Sequence, residues 1–303
     1  ETKGFKSNLK KMKNKFKLFC FGFGQVANYF VKNLIKNNFS FDLVSTNTKK
    51  TDFKKIGNLT YKSYYFFNNK FDNNLLNELN SSNKVLISVP PKDQKDIVLK
   101  NFQENFRKNK FNWVTYLSAT SVYGDKGGEW VDEDTKPNPT SKRGIARLKA
   151  EKQWLKYYNE YKLPVQIFRL SGIYSIENNV IKRLKAGTPQ IVEKKNHFFS
   201  RIHVEDIAEI LKLSLKKFNS GQIYNVSDNY PCSNEEIVFY AANLMKMNQP
   251  NKIKPNDIEN EMPKVFFRDS KKVNNLKMKI FFRYNLKYPT FKEGLEMIRN
   301  HIS

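Results

Sequence analysis

The stretch 15–27, KFKLFCFGFGQVA, limits what this chain can fold into more than any other. Leu18, Phe19, Cys20 and Phe21 form an apolar run too short for a helix, as a strand buried on both faces requires. Gly22 and Gly24 follow at once, and Ala27 completes G-x-G-x-x-A. Val26, Tyr29, Phe30, Val31, Leu34 and Ile35 then recur at helical spacing. Strand, glycine turn and helix is the arrangement that a dinucleotide needs. Gly22 permits the tight turn, Gly24 lets a pyrophosphate approach the backbone, and Ala27 lets helix and strand pack closely. The unpaired N–H groups of the helix start then face the phosphates, with Gln25 and Val26 in the first turn.

The second strand is expected at 41–44, and its carboxyl end is where such a site reads the adenosine ribose. An acid there would bind the 2′-hydroxyl of NAD. The chain instead has Ser45, Thr46, Asn47, Thr48, Lys49 and Lys50. Hydroxyls, an amide and two cations favour NADP(H) over NAD(H), with Thr46, Asn47 and Lys49 as the readers. A third strand is expected at 59–67 and a helix through Leu75, Leu76 and Leu79. A fourth strand over 85–89 is stopped by Pro90 and Pro91, placing Val89 and Pro90 at the cofactor cleft. A helix over 94–106 leads to a fifth strand at 113–117, which runs into Ser118, Ala119, Thr120, Ser121, Val122, Tyr123, Gly124 and Asp125. Strands alternating with helices predict a doubly wound parallel sheet.

Residues 126–142 read as a long polar loop, and 143–161 as a helix burying Leu148, Trp154, Leu155 and Tyr158. A sixth strand is expected at 164–170, a helix over 207–215 capped by Asp206, and a strand at 221–226. The final 75 or so residues read as short elements of a smaller lobe. The expected organisation is therefore a disordered basic tail at 1–14, a Rossmann domain at 15–170 plus 202–228, and a small substrate lobe at 171–201 plus 229–303.

The net charge of +25 raises the question of an anionic macromolecule. The lysines are spread over the whole length among many Asn, Phe, Ile and Tyr, as in the products of AT-rich genomes, and no nucleic-acid reader motif accompanies them. No specific nucleic-acid partner is expected, while anionic small molecules would be drawn to such a surface. No apolar run reaches the roughly 20 residues of a membrane span. Cys20 and Cys232 lack metal-ligand spacing and suit a reducing, cytoplasmic compartment. His197, His203 and His301 form no metal set with them. His203, in RIHVEDIA, is read as fixing a turn before a helix.

GFGQVA, LSATSVYGD, the Ala150-Glu151 helix, RLSGIY at 169–174, RIHVEDIA at 201–208 and YPTFKEGL at 288–295 together resemble the extended short-chain dehydrogenase/reductase superfamily, of the sugar-nucleotide epimerase/dehydratase type. They look most like an atypical branch carrying YGD…GGEWVDE and R-G-x-x-R…A-E-x-x-W. The resemblance implies a Rossmann-like α/β fold with a smaller C-terminal α+β lobe. It also implies a Tyr-x-x-x-Lys pair on the long helix and a Ser or Thr after the fifth strand. Counted from the quoted motifs, those positions hold Arg143, Arg147 and Ala119. An arginine stays protonated and cannot replace the Tyr as acid or base. Arg147 could keep the Lys role at the nicotinamide ribose, Arg143 could hold an anionic substrate, or Arg147 could simply pair with Glu151 on the helix surface. Tyr123, Ser118, Thr120 and Ser121 remain as proton-moving side chains, and in the superfamily the Tyr of VYG is usually a wall residue. Ser175-Ile176 stand after Tyr174 where the superfamily has Gly-Pro.

Two functions follow from this resemblance. One is an NADP(H)-dependent enzyme acting on an anionic, nucleotide-sugar-like substrate with a non-standard proton donor. The other is a dinucleotide-binding sensor, scaffold or assembly subunit without turnover. Dimers through the long helix are common in the superfamily, with Trp154 and Tyr158 as possible contacts here.

Overall fold

A computed structural model describes residues 15–108, 110–187, 191–254, 257 and 267–302. The basic tail expected at 1–14 lies outside them. Strand β1 (Phe16–Phe21) leads through the glycine turn into helix α1 (Gln25–Lys36) and β2 (Phe41–Asn47). A hairpin of β3 (Asp52–Ile56) and β4 (Leu59–Phe67) follows, then β5 (Lys70–Phe71), α2 (Asn74–Asn80), β6 (Lys84–Ile87), α3 (Ile97–Lys108) and β7 (Trp113–Ala119). A short 3-10 turn covers Thr120–Tyr123, and β8 (Trp130–Val131) breaks the long polar loop. Helix α4 (Lys142–Tyr161) precedes β9 (Val165–Leu170), β10 (Gly172–Tyr174), α5 (Val180–Lys185), β11 (Ile191–Val192) and β12 (Arg201–His203). The chain closes with α6 (Val204–Ser214), β13 (Ile223–Val226), α7 (Asn234–Leu244), β14 (Lys252–Ile253), β15 (Lys272–Val273), α8 (Leu276–Phe282) and α9 (Phe291–Ile302).

The main sheet has the order β13-β9-β7-β6-β1-β2-β4-β3, with β5 also on β4. β1 pairs in parallel with both β2 and β6, so the chain builds outward on one side of β1 and then returns to build on the other. β1 is therefore the topological switch point, and the glycines lie at its carboxyl end, where sheets of this kind bind their ligands. This is the doubly wound, mostly parallel α/β sheet that the strand–helix alternation predicts.

Besides several two- and three-residue strands, β3 was not expected. It runs antiparallel to β4, with Lys54 opposite Tyr61, and forms an edge hairpin. Its Phe53, Lys54 and Lys55 are all exposed, so DFKKI carries no buried alternation to read. The fourth strand ends at Ile87 rather than residue 89. A two-residue turn at Asp93 and Gln94, both left-handed, then delays the helix to Ile97.

The chain divides into two compact units. The first holds residues up to Leu117 together with Lys149–Ile167 and Leu211–Gln222; the second holds Ser118–Leu148, Phe168–Ile210 and the chain from Ile223 on. In the first unit Leu18, Phe19, Cys20 and Phe21 are fully buried. Phe21 meets the rings of Phe66, Phe102 and Phe106 at 5.2–6.3 Å between centroids. Each such ring contributes about 2–3 kcal/mol by leaving water. Trp154 meets Phe106 edge to face and gives its indole N–H to Asp96 at 2.9 Å. Asp96 also caps α3, accepting from Val98 and Leu99. Trp154 is thus a core residue, which removes it as a dimer contact. Tyr158 is half-buried and lies where a side chain on Gly221 would stand. On α4 the buried positions are Gly144, Ala146, Ala150, Glu151, Trp154 and Tyr157, whereas Leu148 and Leu155 are only half-buried.

The second unit has its own core, in which Tyr174, Ile181, Leu184, Ile237, Val238, Phe291, Leu295 and Ile298 pack together. Asp206 lies inside the first turn of α6 rather than before it. Its carboxylate accepts from Tyr284 Oη (2.5 Å), Lys287 N (2.7 Å) and Tyr288 N (3.1 Å), so it holds the 284–288 segment instead of capping a helix. The turn-fixing role belongs to His203, whose Nδ1 accepts from Glu205 N at 3.2 Å. No helix among the described residues is long and apolar enough to cross a membrane.

Candidate functional site

The glycine turn lies wholly within the first unit. Gly22 has φ +80°, in the region where only glycine is unstrained, and a Cβ there would come 2.9 Å from Ser88 Oγ. Gly24 differs. Its φ of −82° suits any residue, and nothing stands within 4 Å of where its Cβ would be. Internal packing therefore does not demand glycine at 24. The open space lies at the start of α1, whose first turn has no acidic side chain and whose N-cap makes no side-chain bond. A helix start beside open space suits a pyrophosphate. Val26 and Ala27 are buried against the unit's interior, while Gln25 is half-buried at the turn.

At the end of β2 the structure redistributes the expected roles. Thr46 is 2% exposed, and its Oγ1 accepts the Gly22 N–H at 2.8 Å. Asn47 Oδ1 accepts from Lys49 N (2.8 Å) and Lys50 N (3.1 Å), and its Nδ2 donates to Lys50 O and Ser63 Oγ. The Thr46 hydroxyl thus holds the glycine turn and the Asn47 amide holds the local bend. Thr48, Lys49 and Lys50 remain exposed on that bend. Val89 is half-buried and Pro90 exposed just past β6. Sequence reasoning missed Ser88, whose Oγ lies 2.9 Å from Phe21 O and 3.1 Å from Gly22 O. A serine set between an apolar strand and Val-Pro-Pro was the available signal.

The residues read as catalytic fall in the second unit. Tyr123 is fully buried, and its hydroxyl donates to Asn225 Oδ1 at 2.8 Å. The Arg169 guanidinium lies 4.8 Å from the centre of its ring. Burial pushes the phenol up to about 12, with Arg169 opposing. The phenol so placed has its hydroxyl engaged within the second unit. Asn225 also takes Glu133 Oε1 on its backbone N–H at 2.6 Å and gives its Nδ2 to Asn274 O at 3.1 Å. It thereby joins the 123–133 stretch and Asn274 to its own strand, and burial raises the Glu133 carboxyl.

Ser118 is buried at the end of β7, whereas Ala119, Thr120 and Ser121 are half-buried. Arg143 is exposed and Arg147 half-buried on α4. The glycine between them is explained by contact: a Cβ on Gly144 would meet Ser121 O at 2.6 Å and Pro139 Cβ at 2.9 Å. Ser141 caps this helix, accepting from Gly144 N at 3.0 Å. His203 lies between the rings of Tyr174 and Tyr288, at 5.0 and 4.2 Å. Burial lowers it to about 4, so it is neutral at ordinary pH. Ser175 is buried, and its Oγ accepts from Glu177 N and Asn178 N in a tight turn.

Comparison with known proteins adds a family to this geometry. The model of the NAD dependent epimerase/dehydratase family matches residues 98–227, a span beginning after the glycine turn. The human dTDP-D-glucose 4,6-dehydratase is 26% identical over 159 residues, which cover 48% of this chain and 42% of that protein. The chain thus spans less than half the length of this curated relative. A solved structure of a functionally unknown conserved protein from Silicibacter pomeroyi is 30% identical and superposes with a TM-score of 0.82, over 94% of this chain and 99% of the other. UDP-glucuronic acid 4-epimerase from Bacillus cereus, solved with NAD, superposes at 0.75 with 17% identity, over 95% and 100%, and so shares the fold. A family match through the middle of the chain, a superposition over nearly the whole chain and the switch-point glycine turn agree: residues 98–227 match the NAD dependent epimerase/dehydratase family, and the chain has the fold of solved sugar-nucleotide epimerases.

Proposed function

We propose that this protein binds NADP(H) and acts on an anionic, nucleotide-sugar-like substrate without the superfamily's Tyr-x-x-x-Lys pair. The carrying observation is the glycine turn at the switch point, with open space beside Gly24 at an uncapped helix start. The amides of that turn hold the pyrophosphate. With the Thr46 hydroxyl on the glycine turn and the Asn47 amide on the local bend, the 2′-phosphate falls to the ammonium groups of Lys49 and Lys50, and no acid in 45–50 repels it. Val89 and Pro90 give the cofactor an apolar wall. The bound nicotinamide supplies hydride transfer. Arg147 takes the place of the lysine at the ribose, and Arg143, exposed and cationic, draws the anionic end of the substrate.

Proton transfer is assigned away from Tyr123, because its hydroxyl is buried on Asn225. Ser118 and Thr120 are the hydroxyls left at the end of β7, and a neutral hydroxyl of this kind relays a proton only between stronger partners. The same burial favours a second reading, in which the protein holds the dinucleotide without turnover.

The test is a fluorescence titration with NADPH and NADH, followed by a turnover screen with UDP-glucuronic acid and, as the uncharged-sugar control, UDP-glucose. NADPH binding tighter than NADH, with conversion of the charged sugar, supports the enzyme. NADPH binding with no conversion of any sugar nucleotide supports the second reading. Binding of neither dinucleotide overturns both.

A further inference from the structure

We propose that Thr46 and Ser88 are positioning residues that clamp the glycine turn from the two strands flanking β1, fixing the amides that meet the dinucleotide. The proposal rests on the reading of this turn as the cofactor site. From the β2 side, Thr46 Oγ1 accepts the Gly22 N–H at 2.8 Å. From the β6 side, the Ser88 hydroxyl reaches Phe21 O at 2.9 Å and Gly22 O at 3.1 Å, while the Ser88 N–H also donates to Phe21 O at 2.9 Å. Thr46 thus holds the peptide group before the Gly22 Cα, and the one hydroxyl proton of Ser88 is shared between the carbonyls on either side of it.

The clamp answers a problem that the turn itself creates. Glycine at φ +80° is free of steric strain but equally free to leave that conformation, since it populates both signs of φ. Gly22 cannot be replaced to stiffen it, because a Cβ would strike Ser88 Oγ at 2.9 Å and Val89 Cγ2 at 3.1 Å. Hydrogen bonds from outside the turn are the remaining means of holding it. A pre-set turn binds its ligand more tightly because less ordering is left to do on binding. Neither hydroxyl needs to touch the dinucleotide: Thr46 is buried, and each bond described ends on the backbone of β1 or its turn.

The experiment uses Thr46→Val, which keeps the shape and removes the acceptor, Thr46→Ser, which restores it, Ser88→Ala, and Ser45→Ala as a control. Ser45 is the buried neighbour of Thr46 and bonds only to Ser63 Oγ at 2.9 Å among the contacts described. The first readout needs no cofactor: exchange of the Gly22 amide hydrogen, followed by NMR. It should be slow in the wild type and Thr46→Ser, and faster in Thr46→Val. The second is the NADPH dissociation constant, expected to rise about tenfold in Thr46→Val and Ser88→Ala, equivalent to ~1.4 kcal/mol, and to stay within about twofold in Thr46→Ser and Ser45→Ala. A Gly22 amide that exchanges as fast in the wild type as in Thr46→Val overturns the clamp. Unchanged NADPH affinity in both Thr46→Val and Ser88→Ala overturns its positioning role. Should Thr46→Val fail to fold, Ser88→Ala carries the affinity test. A wild type that binds neither dinucleotide overturns the cofactor reading, and the amide exchange still decides whether the clamp exists.

Discussion

Replacing Gly24 with aspartate should stabilise the protein and abolish dinucleotide binding, two effects of opposite sign from one side chain. Gly24 is the N-cap of α1, with φ −82° and ψ −163°, the extended backbone from which an Asp side chain accepts the N–H of the second or third helical residue. No atom within 4 Å of the new Cβ opposes it. The cap contributes a few tenths of a kcal/mol over glycine, and loss of glycine's freedom in the unfolded chain adds about 0.4–1 kcal/mol. A carboxylate at the positive end of the helix, whose first turn holds no acid, contributes ~0.3–1 kcal/mol more. The sum, about 1–2 kcal/mol, corresponds to a rise in Tm of a few degrees for a chain of this size. The same carboxylate about 4 Å from a phosphate charge is repelled by ~4 kcal/mol at an effective dielectric of 20. NADPH affinity should therefore fall by well over a hundredfold. Differential scanning calorimetry without nucleotide and a fluorescence titration read the two effects separately. Gly22→Ala is the contrast: its Cβ meets Ser88 and Val89 in a left-handed backbone, so its Tm should drop. A lower Tm in Gly24→Asp would refute the claim that packing leaves position 24 open, and retained NADPH affinity would refute the claim that the phosphates lie there.

Other outcomes follow from the same geometry. Lys49→Glu should weaken NADPH at least tenfold and leave NADH within about threefold, because the charge at stake is the 2′-phosphate; equal losses in titrations of both would remove Lys49 from the specificity. Trp154→Phe keeps the aromatic packing but strips the N–H from Asp96 Oδ2, leaving a buried carboxylate oxygen short of a donor. Urea denaturation should show a loss of about 1–3 kcal/mol, and a change below 0.5 kcal/mol would mean that the bond contributes nothing. His197 and His203 are both lowered to about 4 by burial. The unfolded chain therefore binds more protons between about pH 6.5 and 4, so stability is full above that window and is lost as pH falls through it, by on the order of 3 kcal/mol per histidine. The urea midpoint should fall between pH 7.5 and 5, and less steeply in His203→Asn, which can keep the cap to Glu205; an identical slope in that variant would exclude His203 as a source.

What the sequence made legible was set by how each residue is buried. The run Leu18–Phe21 could be read as a strand because both faces are dry, and the two glycines that follow punctuate it unmistakably. The β3 hairpin escaped because an edge strand with Phe53 exposed keeps no alternation. Thr46 and Asn47 could be placed at the right end of the right strand, but not oriented. A hydroxyl or amide reads the same whether it faces a ribose or, as here, Gly22 and the backbone of Lys49 and Lys50. Tyr123 posed the hardest problem, since its fate depends on Asn225, about a hundred residues away, and no local pattern reports such a partner. His203 was legible as a turn residue because its position before an acidic helix start allows little else.

The edge strand has a consequence for handling the protein. β3 ends the sheet, so the backbone groups on its outer side form a template onto which another extended chain could add. Phe53, 72% exposed near the start of that strand, would reward such an addition. Lys54 and Lys55 stand beside it, exposed, and Lys62 covers the Phe53 ring from the neighbouring strand at 5.8 Å. Two copies meeting edge to edge would bring these ammonium groups together, in a chain already carrying +25. That repulsion is screened by salt, so turbidity at high ionic strength should appear first in variants that lose Lys54 and Lys55.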